Sequence, residues 1–372
     1  MLWQWKVPPI VLGEGSSEKE LLEFLATTGK RWAVVCGGHW YRESWNHWRK
    51  LAENKGLQLA SFIVSGGEPT VPMVDGIAYE VRLFDPDGIV GIGGGSVLDV
   101  AKALAAMVKH EGSVADYLEE VGTKKLSSSV LPWVGVPTTA GTGSEVTKNA
   151  VIIVPEKRVK RSLRHESLFA SAVFLDPLLT LSQPWEVTVN AALDAFTHLL
   201  EAAVSRRSHP WAFALADGTL SGIVSALERV RENSSDREAR QELLVASTAG
   251  GMALANAGLG AVHGFAATLG GLCSIPHGRV CGILLDHVVE VNSRFTSVYD
   301  KLQMVREHGG VDGFVRFLRE WKQMLGVERD FRRWQFSFVP EEIVRMSTSS
   351  SMKANPVDVP FEDWVALWRN IL

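Results

Sequence analysis

Strand-like runs in this 372-residue chain stop near Asp176, and from Pro184 onward the apolar spacing is helical. Strands alternating with helices over the first part predict an α/β unit, and sustained helical periodicity afterwards predicts a nearly all-α one. The division is drawn at 1–178 and 179–372. A chain of this length can build two full cores. No internal repeat or low-complexity segment interrupts either part.

In the first part, strands are read at residues 7–13, 31–36, 59–64, 89–92, 131–136, 151–154 and 172–176, with a helix over 17–28. Three of these strands end in loops suited to a ligand. Gly37 and Gly38 follow the strand at 31–36, and the carboxyl end of a strand is where α/β folds admit one. The strand at 89–92 runs into Gly93, Gly94, Gly95 and Ser96, then into a helix carrying Asp99 and Lys102. Glycines let the backbone approach a phosphate, and a helix N-terminus supplies free N–H groups and the positive end of a dipole. The strand at 131–136 leads into Pro137-Thr-Thr-Ala-Gly-Thr-Gly-Ser-Glu145, rich in hydrogen-bonding groups. Trp40, Trp45 and Trp48 are read as packing. The basic run Lys157, Arg158, Lys160, Arg161 and Arg164 is read as a solvated hairpin with one lysine turned inward to a phosphate, not as a nucleic-acid patch.

In the second part, helices are read at 189–204, 212–230 and 239–257, with a loop at 232–238. Asp194 and His198 are four apart and share one helix face, presenting a carboxylate and an imidazole together as half of a divalent-metal site. His263 and His277 could supply the other half. On one straight helix they would stand about 21 Å apart. Gly270-Gly271 and Ile275-Pro276 break any such helix, so His277 should start a new element that folds back towards His263.

Composition narrows the partners. A formal net charge of −4 gives no general attraction to nucleic acid or anionic membrane. Cys36, Cys273 and Cys281 form no CxxC pair, which suits a reducing cytoplasm, and the N-terminus has no signal-peptide pattern. Residues 243–262 are twenty long without a formal charge, enough to span a bilayer. Their Ala, Gly, Ser and Thr content favours a tightly packed buried helix followed by a turn.

Taken together, Gly93-Gly-Gly-Ser-Val-Leu-Asp-Val-Ala-Lys102, Pro137-Thr-Thr-Ala-Gly-Thr-Gly-Ser-Glu-Val-Thr147, Leu193-Asp-Ala-Phe-Thr-His-Leu-Leu-Glu201, His263-Gly264, Ile275-Pro-His-Gly278 and Ser351-Met-Lys-Ala-Asn-Pro356 resemble the iron-containing (group III) alcohol dehydrogenase family, with its dehydroquinate-synthase-like fold. The resemblance implies an N-terminal dinucleotide-binding domain with a parallel sheet and an all-α C-terminal domain holding a catalytic metal. It implies that Gly94, Gly95, Ser96 and Asp99 hold the cofactor pyrophosphate. Thr138, Thr139 and Thr142 would line the path to the nicotinamide, and Lys160 would contact a ribose. Asp194, His198, His263 and His277 would be the metal ligands. Iron(II), zinc and manganese all suit such a set. The implied reaction is hydride transfer between a nicotinamide cofactor and a small alcohol or carbonyl, with the metal as Lewis acid. A cytoplasmic homodimer or larger homo-oligomer is the implied setting.

Two positions depart from the family pattern. Ala267 stands where many members carry a further histidine, so water or a ribose hydroxyl would have to relay the proton. Cys36-Gly37-Gly38-His39 replaces the aspartate common after the second strand of NAD-preferring members, so NADP(H) is expected over NAD(H). A maleylacetate-reductase-like oxo-acid reductase, a dehydroquinate-synthase-like lyase and a non-catalytic binding protein are the alternatives. The intact ligand set weighs against the first. The dehydrogenase-type loops weigh against the second, and the two sets together weigh against the third.

Overall fold

The computed structural model describes residues 4–334, 336 and 338–372; the stretch read for a signal peptide begins at 1–3, outside the described residues. Six strands form one parallel sheet: β1 (Ile10–Leu12), β2 (Arg31–Gly37), β3 (Gln58–Val64), β4 (Gly88–Gly93), β5 (Trp133–Pro137) and β8 (Ala172–Leu175), in the order β1-β8-β5-β4-β2-β3. β4 is buried along its whole length and β2 over its five inner residues, as apolar runs in a sheet covered on both faces must be. On one face, α1 (Glu20–Thr28) and α2 (Gly38–Asn54) bury Leu21, Leu22, Leu25, Trp45 and Trp48 against the sheet. On the other lie α3 (Val71–Phe84) and α4 (Gly95–Met107), whose core runs on into the helical half. Trp40 meets Trp48 edge-on at 5.8 Å, so this tryptophan group is packing.

Among the boundaries that differ from the sequence reading, those of β1 and α1 have local reasons. β1 is only three residues long because Pro8 and Pro9, which have no N–H to donate, precede it. The helix expected over 17–28 starts at Glu20, because the Ser17 hydroxyl donates to Asp176 at 2.5 Å and holds the chain outside the helix. The basic run does fold as a hairpin: β6 (Asn149–Val154) pairs antiparallel with β7 (Val159–Arg164).

After β8 the described residues are helical, with α5 (Trp185–Val204), α6 (Pro210–Asp217), α7 (Leu220–Glu232), α8 (Arg237–Ala257), α9 (Ala261–Leu269) and α10 (His277–Ser293) followed by shorter segments and the helices Val311–Met324 and Phe361–Ile371. The single helix read over 212–230 is two. α6 stops at Gly218, and the Thr219 hydroxyl bonds back to the Leu215 carbonyl at 2.6 Å, an alternative to continuing the helix.

The uncharged stretch 243–262 is not one span. α8 ends at Gly258, which has φ +74°, and α9 leaves at 100° to it. Among the described residues no single helix is long and apolar enough to cross a membrane. The small residues serve close packing. Gly251 on α8 meets Gly143 backbone to backbone, and a Cβ on Gly251 would lie 2.4 Å from the Gly143 carbonyl oxygen. Gly251→Ala should therefore destabilise the protein by about 1–3 kcal/mol, the usual cost of overpacking, read as a lower denaturation midpoint at unchanged m-value. An unchanged midpoint would mean that the two halves do not meet here.

Candidate metal and cofactor site

Gly37, Gly38, Gly94, Gly95, Ser96, Thr138, Thr139 and Thr142 all remain partly exposed at the carboxyl ends of adjacent strands. β2 continues outward to β3 on one side, and β4 to β5 on the other. The chain thus reverses direction across the sheet between β2 and β4, the position at which open α/β sheets bind ligands. The Thr138 N–H donates to the Gly93 carbonyl at 3.0 Å. A Cβ on Gly94 would lie 3.2 Å from Thr139 Oγ1, and one on Gly95 would lie 2.6 Å from Thr142 Cγ2. The two loops thus form one shelf.

Asp99 is tied to the loop and hairpin that fold over it. Its Oδ1 accepts from the Ser144 hydroxyl at 2.5 Å, its Oδ2 from the Val151 N–H at 2.9 Å, and Lys102 Nζ stands 3.2 Å away. Fully buried Lys102 donates to the Ser144 carbonyl and the Thr147 hydroxyl, both at 2.8 Å. Asp99 and Lys102 therefore brace the threonine loop against α4. Lys160 is almost buried, ion-paired to Glu68 at 2.9 Å and packed over Gly270 just beyond α9, so the hairpin turns one lysine inward as expected.

The threonine loop also touches the helical half. Gly143 sits on Gly251 of α8, and neighbouring Gly250 would place a Cβ 3.2 Å from His198 Cβ on α5. α5 carries Asp194 and His198 on one face, as their spacing requires, with Asp194 Oδ1 3.8 Å from His198 Nε2. His263 lies on α9. The break after Leu269 lets α10 begin at His277 with Pro276 as its N-cap, so His277 does fold back: its ring centroid is 5.4 Å from that of His263. Asp194 Oδ1 lies 3.3 Å from His263 Nε2 and 3.6 Å from His277 Nε2, and the His198 ring stacks on His263 at 4.5 Å.

Three residues that sequence reasoning did not place belong to this cluster. Glu201 accepts the Val262 N–H at 2.7 Å and the His263 N–H at 3.3 Å, and it holds His263 Nδ1 at 2.7 Å. That last bond places a proton on Nδ1 and directs Nε2 towards Asp194, so Nε2 is the nitrogen a metal ion would take in exchange for its proton. Its signal was a lone carboxylate in the uncharged run after His198, on the same helix face. Asn355 accepts the Ala261 N–H at 3.1 Å and pairs with Asn292, which gives the C-terminal Ser351–Pro356 pattern a capping role at α9. Cys281, one turn beyond His277, brings its Sγ to 3.7 Å from His277 Nε2 and 3.8 Å from His263 Nε2.

Electrostatics tie these groups together. Burial would raise the Asp194 carboxyl, but His198, His277 and the hydrogen bond from His263 hold it well below the usual carboxylate range. Burial outweighs Asp194 at His198 and brings that imidazole down to about 3, leaving it neutral with a lone pair to give. Burial also opposes charge on His263 and His277, yet Cys281 and Asp194 push both upward. Burial alone would raise the Cys281 thiol, but the two imidazoles lower it. Protons shared among buried nitrogen, oxygen and sulfur donors do what one divalent cation would do better, so the donor set fits a metal ion. The side chains of Asp194, His198 and His263 are 5–6 % exposed and that of His277 is 33 %, so the cluster opens at His277. Phe196 packs at a tilt on Trp321 and Phe265 meets Trp364 and Trp368 edge-on, which makes both of them core.

A parallel dinucleotide-type sheet joined to a helical half with a buried three-imidazole, one-carboxylate cluster defines a metal-centred α/β plus all-α protein. The chain belongs to the iron-containing alcohol dehydrogenase family, which it matches over residues 8–177, with that family's C-terminal region matched over 188–318. It is 41 % identical over 203 residues to a long-chain-alcohol dehydrogenase of Geobacillus thermodenitrificans, covering 55 % of this chain and 51 % of that one. It is 37 % identical over 238 residues to a probable alcohol dehydrogenase of Escherichia coli, covering 64 % and 60 %. The match thus spans about half to three fifths of these relatives. The iron-containing alcohol dehydrogenase of Thermotoga maritima superposes with a TM-score of 0.86 at 29 % identity, covering 100 % of this chain and 99 % of that one.

Proposed function

We propose that this chain is a metal-dependent, nicotinamide-linked dehydrogenase that interconverts a small alcohol and its aldehyde or ketone. The observation that carries the reading is a junction: the threonine loop on the glycine shelf rests on α8 at Gly251, and the next glycine of α8 rests on His198. A cofactor on that shelf would point its reactive end at the imidazole cluster.

Asp194, His198, His263 and His277 are the proposed ligands. A divalent ion held there, iron(II) or zinc, supplies Lewis acidity to a substrate oxygen, while the nicotinamide supplies or accepts the hydride. The chain does the positioning. Gly37, Gly38, Gly94, Gly95 and Ser96 offer a backbone surface to pyrophosphate and ribose, and Thr138, Thr139 and Thr142 line the path inward. Asp99 keeps that loop in place. Lys160, held by Glu68, reaches the ribose side. His277 marks the side from which substrate enters. Ala267, one turn past His263, offers no proton, so water or a ribose hydroxyl carries it. Residues 1–178 then serve the cofactor and 179–372 the metal. A cytoplasmic homodimer or larger homo-oligomer completes the proposal and rests on the family pattern.

NADP(H) is the proposed preference. Gly37 and Gly38 bring no carboxylate to repel a 2′-phosphate, and the Arg42 guanidinium lies 3.4 Å from where a Gly38 side chain would begin. One charge-assisted hydrogen bond of about 1.5 kcal/mol gives roughly a tenfold preference. The test is metal analysis with a panel of small aldehydes and alcohols, each run with both cofactors before and after chelation. Chelation should remove nearly all turnover, and Fe(II) or Zn(II) should restore it, with kcat/KM higher for NADPH. A much lower KM for NADH at equal turnover would sink the cofactor preference. Chelator-insensitive activity on oxo-acids would sink the metal reading.

A further inference from the structure

We propose that Cys281 is itself a metal ligand, adding a thiolate to the imidazole–carboxylate set and turning the site towards zinc over iron(II). This rests on the metal reading above and adds a residue outside the four family ligands.

The argument is geometric. One donor atom each from Asp194, His263, His277 and Cys281 can be chosen so that all four lie within 4.8 Å of one another. In a four- or five-coordinate site with bonds of about 2.1 Å to nitrogen or oxygen and about 2.3 Å to sulfur, neighbouring donors stand roughly 3.0–3.8 Å apart. The measured edges are 3.3 Å for Asp194–His263, 3.6 Å for Asp194–His277, 3.7 Å for Cys281–His277 and 3.8 Å for Cys281–His263. His198 is equally far out, at 3.8 Å from Asp194. By spacing alone, Cys281 has the same standing as a recognised ligand position.

A buried cysteine often acts as a small apolar residue. Here its sulfur faces the two nitrogens, His263 Nε2 and His277 Nε2, that already point at the Asp194 carboxylate. His277 and Cys281 are four apart on α10, as Asp194 and His198 are on α5, so each helix presents a pair of donors on one face. A thiolate is a softer donor than imidazole or carboxylate and suits zinc better than isolated iron(II). On metal uptake the S–H bond breaks, sulfur donates the electron pair to the ion, and the proton leaves to water.

The experiment uses cobalt(II) as the probe on metal-stripped full-length protein. Thiolate ligation should add a near-ultraviolet sulfur-to-cobalt charge-transfer band to the visible bands of bound cobalt. Cys281→Ala and Cys281→Ser should lose that band and keep the visible ones, while Cys273→Ala keeps both. Loss of a partner one shell further out typically costs about 10–100-fold in metal affinity. In zinc against iron(II) competition, Cys281→Ala should accordingly lower the preference for zinc by about tenfold or more. Bound cobalt without the band in the parent protein overturns the thiolate ligand and leaves the metal site standing, even if the variants fail to fold. A protein that takes up no cobalt overturns both.

Discussion

His277→Ala should keep its fold and lose turnover by about a thousandfold. Metal polarisation of a substrate oxygen is worth several kcal/mol, and about 4 kcal/mol at 1.36 kcal/mol per decade gives that factor. The variant isolates the chemistry because His277 is the proposed ligand whose removal disturbs packing least. Its side chain is 33 % exposed, against 5–6 % for the other three, and it occupies the first position of α10, so alanine there leaves no deep cavity. The start of α10 is fixed by the next residue instead. Gly278 lies so close to α5 that a Cβ there would fall 2.0 Å from the Asn190 carbonyl oxygen. Metal affinity should fall by more than about a hundredfold, beyond the usual cost of losing an outer partner. Metal content after dialysis, thermal midpoint and turnover decide it together. An active variant that retains its metal would remove His277 from the ligand set, whereas an unfolded one would assign it a structural role instead.

The residues that could be placed from sequence are those whose position follows from local geometry. A separation of four put Asp194 and His198 on one face, and Pro276 after two glycines predicted that His277 would open a new element folding back towards His263. Runs of apolar residues ending in glycine placed the β2 and β4 loops. What escaped was set by contacts between distant segments. The partners of Asp99, Ser144 and Val151, come from the loop and hairpin that fold over it more than forty residues later, and nothing beside the glycine turn announces them. Asn355 looked like a pattern of unknown use until it reached the first N–H of α9, 94 residues away. Cys281 obeyed the same four-residue rule as Asp194 and His198. Its place shows only against the histidine four residues before it, a relation that disulfide and CxxC spacing do not register. The break at Gly218 depends on a hydroxyl competing with the helix, a balance that periodicity does not register.

Glu201→Gln should weaken metal binding by about 10–100-fold, the range for partners that orient a ligand, and lower stability by about 1–3 kcal/mol through one mismatched buried hydrogen bond. The substitution preserves shape, so packing is not at issue. Glu201 is 5 % exposed and receives three donors: the Val262 N–H on one oxygen, and the His263 N–H and Nδ1–H on the other. A glutamine can place its carbonyl oxygen against Val262, but its amide nitrogen then faces two donors with only hydrogens to offer. The His263 ring can relieve this by moving its proton from Nδ1 to Nε2 and accepting from the amide. That puts a hydrogen on the nitrogen directed at Asp194 and withdraws the lone pair a metal needs. Turning the amide over satisfies His263 and leaves the Val262 N–H without its acceptor at the N-terminus of α9. Either outcome separates a ligand-orienting carboxylate from a mere helix cap. If Glu201→Gln lowers the denaturation midpoint but binds metal as the parent does, Glu201 is only a cap for α9. If metal affinity falls and Glu201→Asp fails to recover it, a carboxylate on the shorter side chain does not reach His263 Nδ1, and the 2.7 Å contact is what fixes the tautomer.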